Sequence, residues 1–126
     1  MTLRSKVIMA YPLQGFSGMY VKHVPLSLLY ASIELVKRGV EVVIFDQRLY
    51  PNSWREELKK LITPDVLMVG LSVMSGAPIK SSQALGRYVK ELDPEIKITW
   101  GGPHVTTYPE TVISDEMSAD YVISGY

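Results

Sequence analysis

The chain has 126 residues, the size of one ordinary domain, and an apolar fraction of 47%, enough to bury a core. Thirteen Lys and Arg balance thirteen Asp and Glu, which removes the basic face that nucleic-acid phosphates require. The absence of cysteine excludes a disulfide framework and any cysteine-based metal or iron–sulfur site within the chain. No run approaches the ~18 apolar residues of a membrane span, and Met1–Lys6 is too short and polar for a signal peptide, so a cytoplasmic setting is expected.

Lys6–Tyr11 reads as a first strand. A helix follows over about Pro25–Arg38, with Leu26, Leu29, Ile33 and Val36 sharing one face at helical spacing. Pro25 suits its first position, Lys37 and Arg38 favour the negative end of its dipole, and Gly39 suits the left-handed position just past it. Val40–Phe45 reads as a second strand. A second helix starts at Ser53, with Glu56 completing a capping box, and ends before Pro64. Val66–Val73 is a nearly continuous apolar run, as a central parallel strand covered on both faces requires. A third helix covers about Pro78–Leu92, with Leu85, Tyr88, Val89 and Leu92 inward. Ile96–Trp100, a short helix near Pro109 and Tyr121–Ser124 complete the set. Strand and helix alternate throughout, which predicts right-handed crossovers and a parallel α/β sheet. The expected fold is a flavodoxin-like, Rossmann-like three-layer sandwich with a five-stranded sheet in the order 2-1-3-4-5. The chain stops at the fifth strand with no closing helix, so it reads as one domain, residues 1–126, of a longer protein.

Ligands of open α/β sheets bind beyond the carboxyl ends of the strands, where strand order reverses. Here that is between the first and third strands. The loops at that edge are Pro12–Val24, Met74–Ala77 and Gly101–Thr107, with Asp46–Asn52 to one side. Pro12–Val24 is longer than the usual ~2–6 residues of a βα loop, and it contains Gly15 and Gly18. A ligand loop accounts for this better than a surface insertion. Gly101-Gly102 after a buried strand lets a ligand meet bare backbone, where a plain turn rarely needs two glycines before proline. Ser72, at the end of an apolar strand, needs a hydrogen-bond partner. A ligand atom and a neighbouring carbonyl serve equally well. His23 and His104, the only histidines, both fall in these loops, where a lone histidine is ordinarily a solvated residue.

Other ligand classes fail on the same loops. Gln14–Met19 matches neither GxGxxG nor GxxxxGK[ST] and lacks the Ser/Thr density of a flavin phosphate loop. The ends of the first and third strands carry no carboxylate for Mg²⁺, and no GxSxG elbow is present. The crevice has binding residues and no catalytic set.

Six segments together resemble a known family. They are Pro25-Leu26-Ser27-Leu28-Leu29, Lys37-Arg38-Gly39, Phe45-Asp46, Val69-Gly70-Leu71-Ser72, Lys90-Glu91-Leu92-Asp93-Pro94 and Trp100-Gly101-Gly102-Pro103-His104. They look like the N-terminal cobalamin (B12)-binding domain of B12-dependent radical-SAM enzymes, of the anaerobic magnesium-protoporphyrin monomethyl ester cyclase and methyltransferase type. The resemblance implies a module that binds cobalamin base-off within an enzyme performing methyl transfer or oxidative cyclisation. S-adenosylmethionine and a 4Fe–4S cluster would belong to a C-terminal barrel of the same chain. Ser72-Val73-Met74 matches the family's Ser-x-Leu, whose Ser bonds the dimethylbenzimidazole tail, and Gly101-Gly102 matches the pair that lies against it. The implied cofactor-binding set is Tyr11, Pro12, Ser72, Val73, Met74, Ser75, Gly101, Gly102, Pro103 and His104, with no catalytic residue in the domain itself. The family's Asp-x-His-x-x-Gly cobalt-ligand motif corresponds to Val21-Lys22-His23-Val24-Pro25-Leu26. His23 stands at the ligand position, but the Asp that orients the imidazole and the Gly are both replaced. Radical-SAM members often bind cobalamin without this histidine. The rival reading is a non-catalytic flavodoxin-like module for another ligand or a docking partner.

Overall fold

A computed structural model describes residues 4–12, 26–72, 77–101 and 119–122; for 26–31, 77 and 78 only the backbone is considered. In chain order the elements are β1 (Lys6–Tyr11), α1 (Leu26–Lys37), β2 (Glu41–Asp46), a 3-10 turn (Gln47–Leu49), α2 (Trp54–Leu61), β3 (Val66–Ser72), α3 (Ala77–Leu92), β4 (Lys97–Gly101) and β5 (Tyr121–Val122). The sheet has five strands in the order β2-β1-β3-β4-β5, and every pairing is parallel. The predicted order is therefore present, with its switch point between β1 and β3. The helix expected near Pro109 and the ends of the first and third strand loops lie outside the described residues.

Side chains alternate across each strand, and the register turns that alternation into two faces. Ile8 and Ala10 of β1, Phe45 of β2, Val69 and Leu71 of β3, and Ile98 and Trp100 of β4 share one face. They form the main core with Trp54 and Leu58 of α2 and Leu85 and Val89 of α3. Leu85 and Val89 are fully buried as predicted, while Tyr88 and Leu92 are only half-buried. The opposite face presents Val7, Met9 and Tyr11, then Met68, Gly70 and Ser72, then Thr99 and Gly101. The right-handed crossover from β1 back to β2 carries α1 to this face, where it packs on β1 and β2. The lower ends of the strands are tied together by polar side chains. Arg4 donates to Asp93 at 2.8 Å and to the Val66 carbonyl at 2.9 Å. Asp120 accepts from the Ile98 amide at 2.8 Å and pairs with Lys90 at 2.7 Å. Burial raises the Asp120 pKa, but Lys90 and the Ile98 amide outweigh it and hold the carboxyl below its ordinary value.

Three local expectations change. On α1, Ile33 and Val36 are exposed, at 44% and 57%, and Ser32 is buried at 6%. The sequence of α1 is apolar around much of its circumference, so periodicity alone leaves two stripes open; the sheet takes the one containing Ser32 and Leu35. At α2, Ser53 occupies the N-cap position but makes no side-chain cap bond. Its backbone, at φ −130° and ψ 16°, departs from the extended conformation a capping hydroxyl needs. β2 and β4 each run one residue further than the apolar pattern, to Asp46 and Gly101, because Tyr11 and Ser72 pair with those residues.

The end of α1 follows its sequence signal. Gly39 has φ +81°, its amide donates to the Val36 carbonyl, and the Val40 amide donates to the Leu35 carbonyl, both at 3.0 Å. That is the Schellman arrangement. A Cβ at Gly39 meets nothing within 4 Å, so Gly39→Ala is expected to cost about 1–2 kcal/mol from backbone conformation alone, read as a lower denaturant midpoint at unchanged slope. Gly70 is a different case. A Cβ there lies 2.9 Å from Met9 Sδ, across the β1–β3 pair. Gly70→Val is expected to destabilise by about 1–3 kcal/mol through overpacking, and part of the loss should return in a Met9→Ala background. Equal losses in both backgrounds would show that Met9 is not the obstacle.

Candidate functional site

The site candidate is the last row of the α1-side face, where the strands end. Tyr11 pairs with Asp46 on one side. Ala10 pairs with Leu71, so the next residues on those strands, Tyr11 and Ser72, stand side by side. Ser72 pairs with Gly101. The row thus reads Asp46, Tyr11, Ser72, Gly101 across β2, β1, β3 and β4. It falls from large to small, with the step down at the switch point between β1 and β3. One row below are Ile44, Met9, Gly70 and Thr99. Met9 leans over Gly70, and the Thr99 hydroxyl donates to Met68 Sδ at 3.0 Å. The floor beneath Ser72 is therefore apolar and thioether-rich, with its one hydroxyl satisfied.

Tyr11, Ser72 and Gly101 are each half-buried, while Pro12 is buried. Register brings together three of the predicted residues, Tyr11, Ser72 and Gly101, and Pro12 follows directly after Tyr11. Val73, Met74, Ser75, Gly102, Pro103, His104 and His23 lie outside the described residues. Trp100, one residue before Gly101, points to the opposite face and is buried to 1% exposure. Among the described residues its Nε1 has no hydrogen-bond partner, and neither has the Ser82 hydroxyl on α3.

The large end of the row holds a polar cluster that sequence reasoning placed only as a loop to one side. Asp46 caps the 3-10 turn by accepting from the Arg48 amide at 3.1 Å. Its two carboxylate oxygens also accept from Arg48 Nε at 2.9 Å and Nη2 at 2.8 Å, a two-pronged pair. Both side chains are nearly buried, at 7% and 10% exposure. The bond to Asp46 raises the Arg48 pKa, so the guanidinium stays charged despite burial. Its carbon Cζ lies over the Tyr11 ring, 4.3 Å from the centroid, while on the other face of the sheet Phe45 stacks on Tyr50. The signal available in sequence was the spacing Asp46-Gln47-Arg48, which in a tight turn lets one side chain cap the turn and pair with the other. Among the described residues no cluster of His, Asp and Glu is arranged to hold a metal ion, and no helix is long and apolar enough to cross a membrane.

No curated protein matches the sequence significantly. Among solved structures, the chain is similar to the radical S-adenosylmethionine methyltransferase TsrM from Kitasatospora setae with cobalamin and a [4Fe-4S] cluster bound. That match has a TM-score of 0.71 and 17% identity over 89% of this chain and 22% of TsrM. It is likewise similar to TsrM with its tryptophan substrate and a SAM analogue bound, at TM-score 0.70 and 17% identity over 87% and 21% of the two chains. At that identity the likeness establishes the fold, and the chain spans under a quarter of the TsrM length. The B12 binding domain family matches residues 19–126, most of the sequence. The chain belongs to the B12 binding domain family.

Proposed function

We propose that the domain binds cobalamin base-off at the carboxyl edge of its sheet, as one module of a longer radical-SAM enzyme that performs methyl transfer or oxidative cyclisation. The observation that carries this reading is the row Tyr11–Ser72–Gly101. It sets a half-buried hydroxyl beside a residue without a side chain at the switch point of a B12-binding fold. The residues present fit the group. Gly101 carries no side chain, Ser72 offers both a donor and an acceptor to a heterocyclic nitrogen, and Met9 over Gly70 forms the floor of the row below. Ser72 would hold the tail base, Gly101 and Gly102 would flank it, and Pro12, Met74 and His104 would lie toward the corrin. Bound cobalamin would supply methyl-group or electron transfer, and the protein orients it and sets its surroundings. S-adenosylmethionine and the 4Fe–4S cluster belong to the proposed barrel, since this chain has no cysteine.

Titration of the purified protein with hydroxocobalamin, followed by calorimetry and by the shift of its visible absorption to shorter wavelength, tests the reading. Binding with that shift is the expected result; no heat and no spectral change would refute it. Ser72→Ala should weaken binding roughly threefold to tenfold, the worth of one hydrogen bond. The Asp that orients a cobalt-ligating imidazole is replaced by Val21 here, so His23→Ala is expected to leave both spectrum and affinity unchanged. A changed spectrum would make His23 the ligand.

A further inference from the structure

The Asp46–Arg48 pair is costly to bury, and its position at the rim of the sheet asks what it holds. A buried ion pair recovers its desolvation penalty only through near-ideal geometry and full hydrogen bonding. Both conditions are met here, by two prongs at 2.9 Å and 2.8 Å and a third bond from the Arg48 amide. Fold stability alone does not call for the pair at this place, because apolar side chains of similar volume commonly do as well. The pair does fix the guanidinium over one face of the Tyr11 ring. Tyr11 stands at the end of β1, half-buried, in the same row as Ser72 and directly beside it. A ring clamped on one face and placed beside a step of small residues is a preset wall for a flat group seated at that step. Fixing the ring before binding removes the entropy that a loose side chain loses on contact.

We propose that Asp46 and Arg48 are positioning residues that hold the Tyr11 ring as a stacking wall for the heteroaromatic base of a nucleotide-like tail seated at Ser72. The proposal rests on the cobalamin reading above and adds to it where the tail base is recognised and how that wall is held. The wall is assigned to the tail because Tyr11 stands in the row of Ser72, the residue that would hold the tail base. Arg48 meets Asp46 through two prongs and lies over the Tyr11 ring, which makes it the link between the ion pair and the wall.

Two ligands and one mutant cycle test this. Hydroxocobalamin carries the tail, and cobinamide is the same corrin without it. Asp46→Leu with Arg48→Met replaces the pair by apolar groups, so that no charge is left buried alone. Tyr11→Ala removes the wall, and Tyr11→Phe keeps the ring. The apolar pair and Tyr11→Ala should each weaken hydroxocobalamin binding about tenfold, as for one lost base–aromatic stack, and move cobinamide less than about twofold. Tyr11→Phe should bind both ligands like the wild type. The triple variant should be no weaker than Tyr11→Ala alone, because residues acting as one unit do not add. Additive losses in the triple variant would overturn the clamp. Equal losses for the two ligands would overturn the assignment to the tail, as would unchanged affinities in Tyr11→Ala. If the wild-type protein binds neither ligand, the cobalamin reading itself fails and the clamp falls with it. If it binds both and the cycle is flat, only the clamp fails. Far-ultraviolet circular dichroism of each variant separates unfolding from lost recognition.

Discussion

Parallel register among β2, β1, β3 and β4 is the constraint on which the rest of the molecule depends. Side chains repeat every two residues along a strand, so a slip of one residue on any of the four would send its whole set to the other face. The burial pattern forbids that slip. Ile8, Val69, Ile98 and Trp100 are all nearly inaccessible, and their face is filled by α2 and α3. Holding that face in register also fixes the opposite one. Asp46, Tyr11, Ser72 and Gly101 are brought into a row by the packing of side chains on the opposite face.

The two faces of the sheet are used differently. The α2–α3 side carries the large apolar residues, with Trp100 and Leu58 among the most deeply buried. On the α1 side, β3 and β4 carry small and soft ones, Gly70, Ser72, Thr99, Gly101 and Met68, and β1 adds Met9. Thioethers adapt to irregular space at little cost, and Met9 already occupies the room above Gly70. The large residues of the α2–α3 side hold the strands in place. At the β2 edge of the α1 side, a two-pronged ion pair holds an aromatic ring where the row steps down to Ser72.

Legibility in the sequence differed by element for physical reasons. β1 was readable to its last residue, and β3 was readable in type, because continuous apolar runs that sit between two layers leave a direct trace. Gly39 was readable because a left-handed residue is demanded locally, by the chain's own turn. The inward face of α1 was not, since Ile33 and Val36 make as good an apolar stripe as the one the sheet covers, and only the angle of docking chooses. The Ser53 capping box failed for a similar reason: the pattern is present, but the preceding turn sets a backbone conformation in which the hydroxyl does not cap. Ser72 and Gly101 stood out as an isolated hydroxyl and a glycine pair at strand ends. Asp46 and Arg48 did not, because a charged pair two residues apart on a loop is ordinarily solvated, and nothing in the spacing says that both will be buried.

The sequence by itself determined the alternation of strand and helix, the strand order that follows from right-handed crossovers, and the edge of the sheet at which a ligand would sit. Those are consequences of local periodicity and chain connectivity, which are written along the chain. Tertiary structure alone decided that Tyr11, Ser72 and Gly101 stand in one row, that β2 and β4 extend to meet them, and that Arg48 lies over Tyr11. These depend on which residues of distant strands pair, and that is fixed by the fit of the α2–α3 core rather than by any residue in the row.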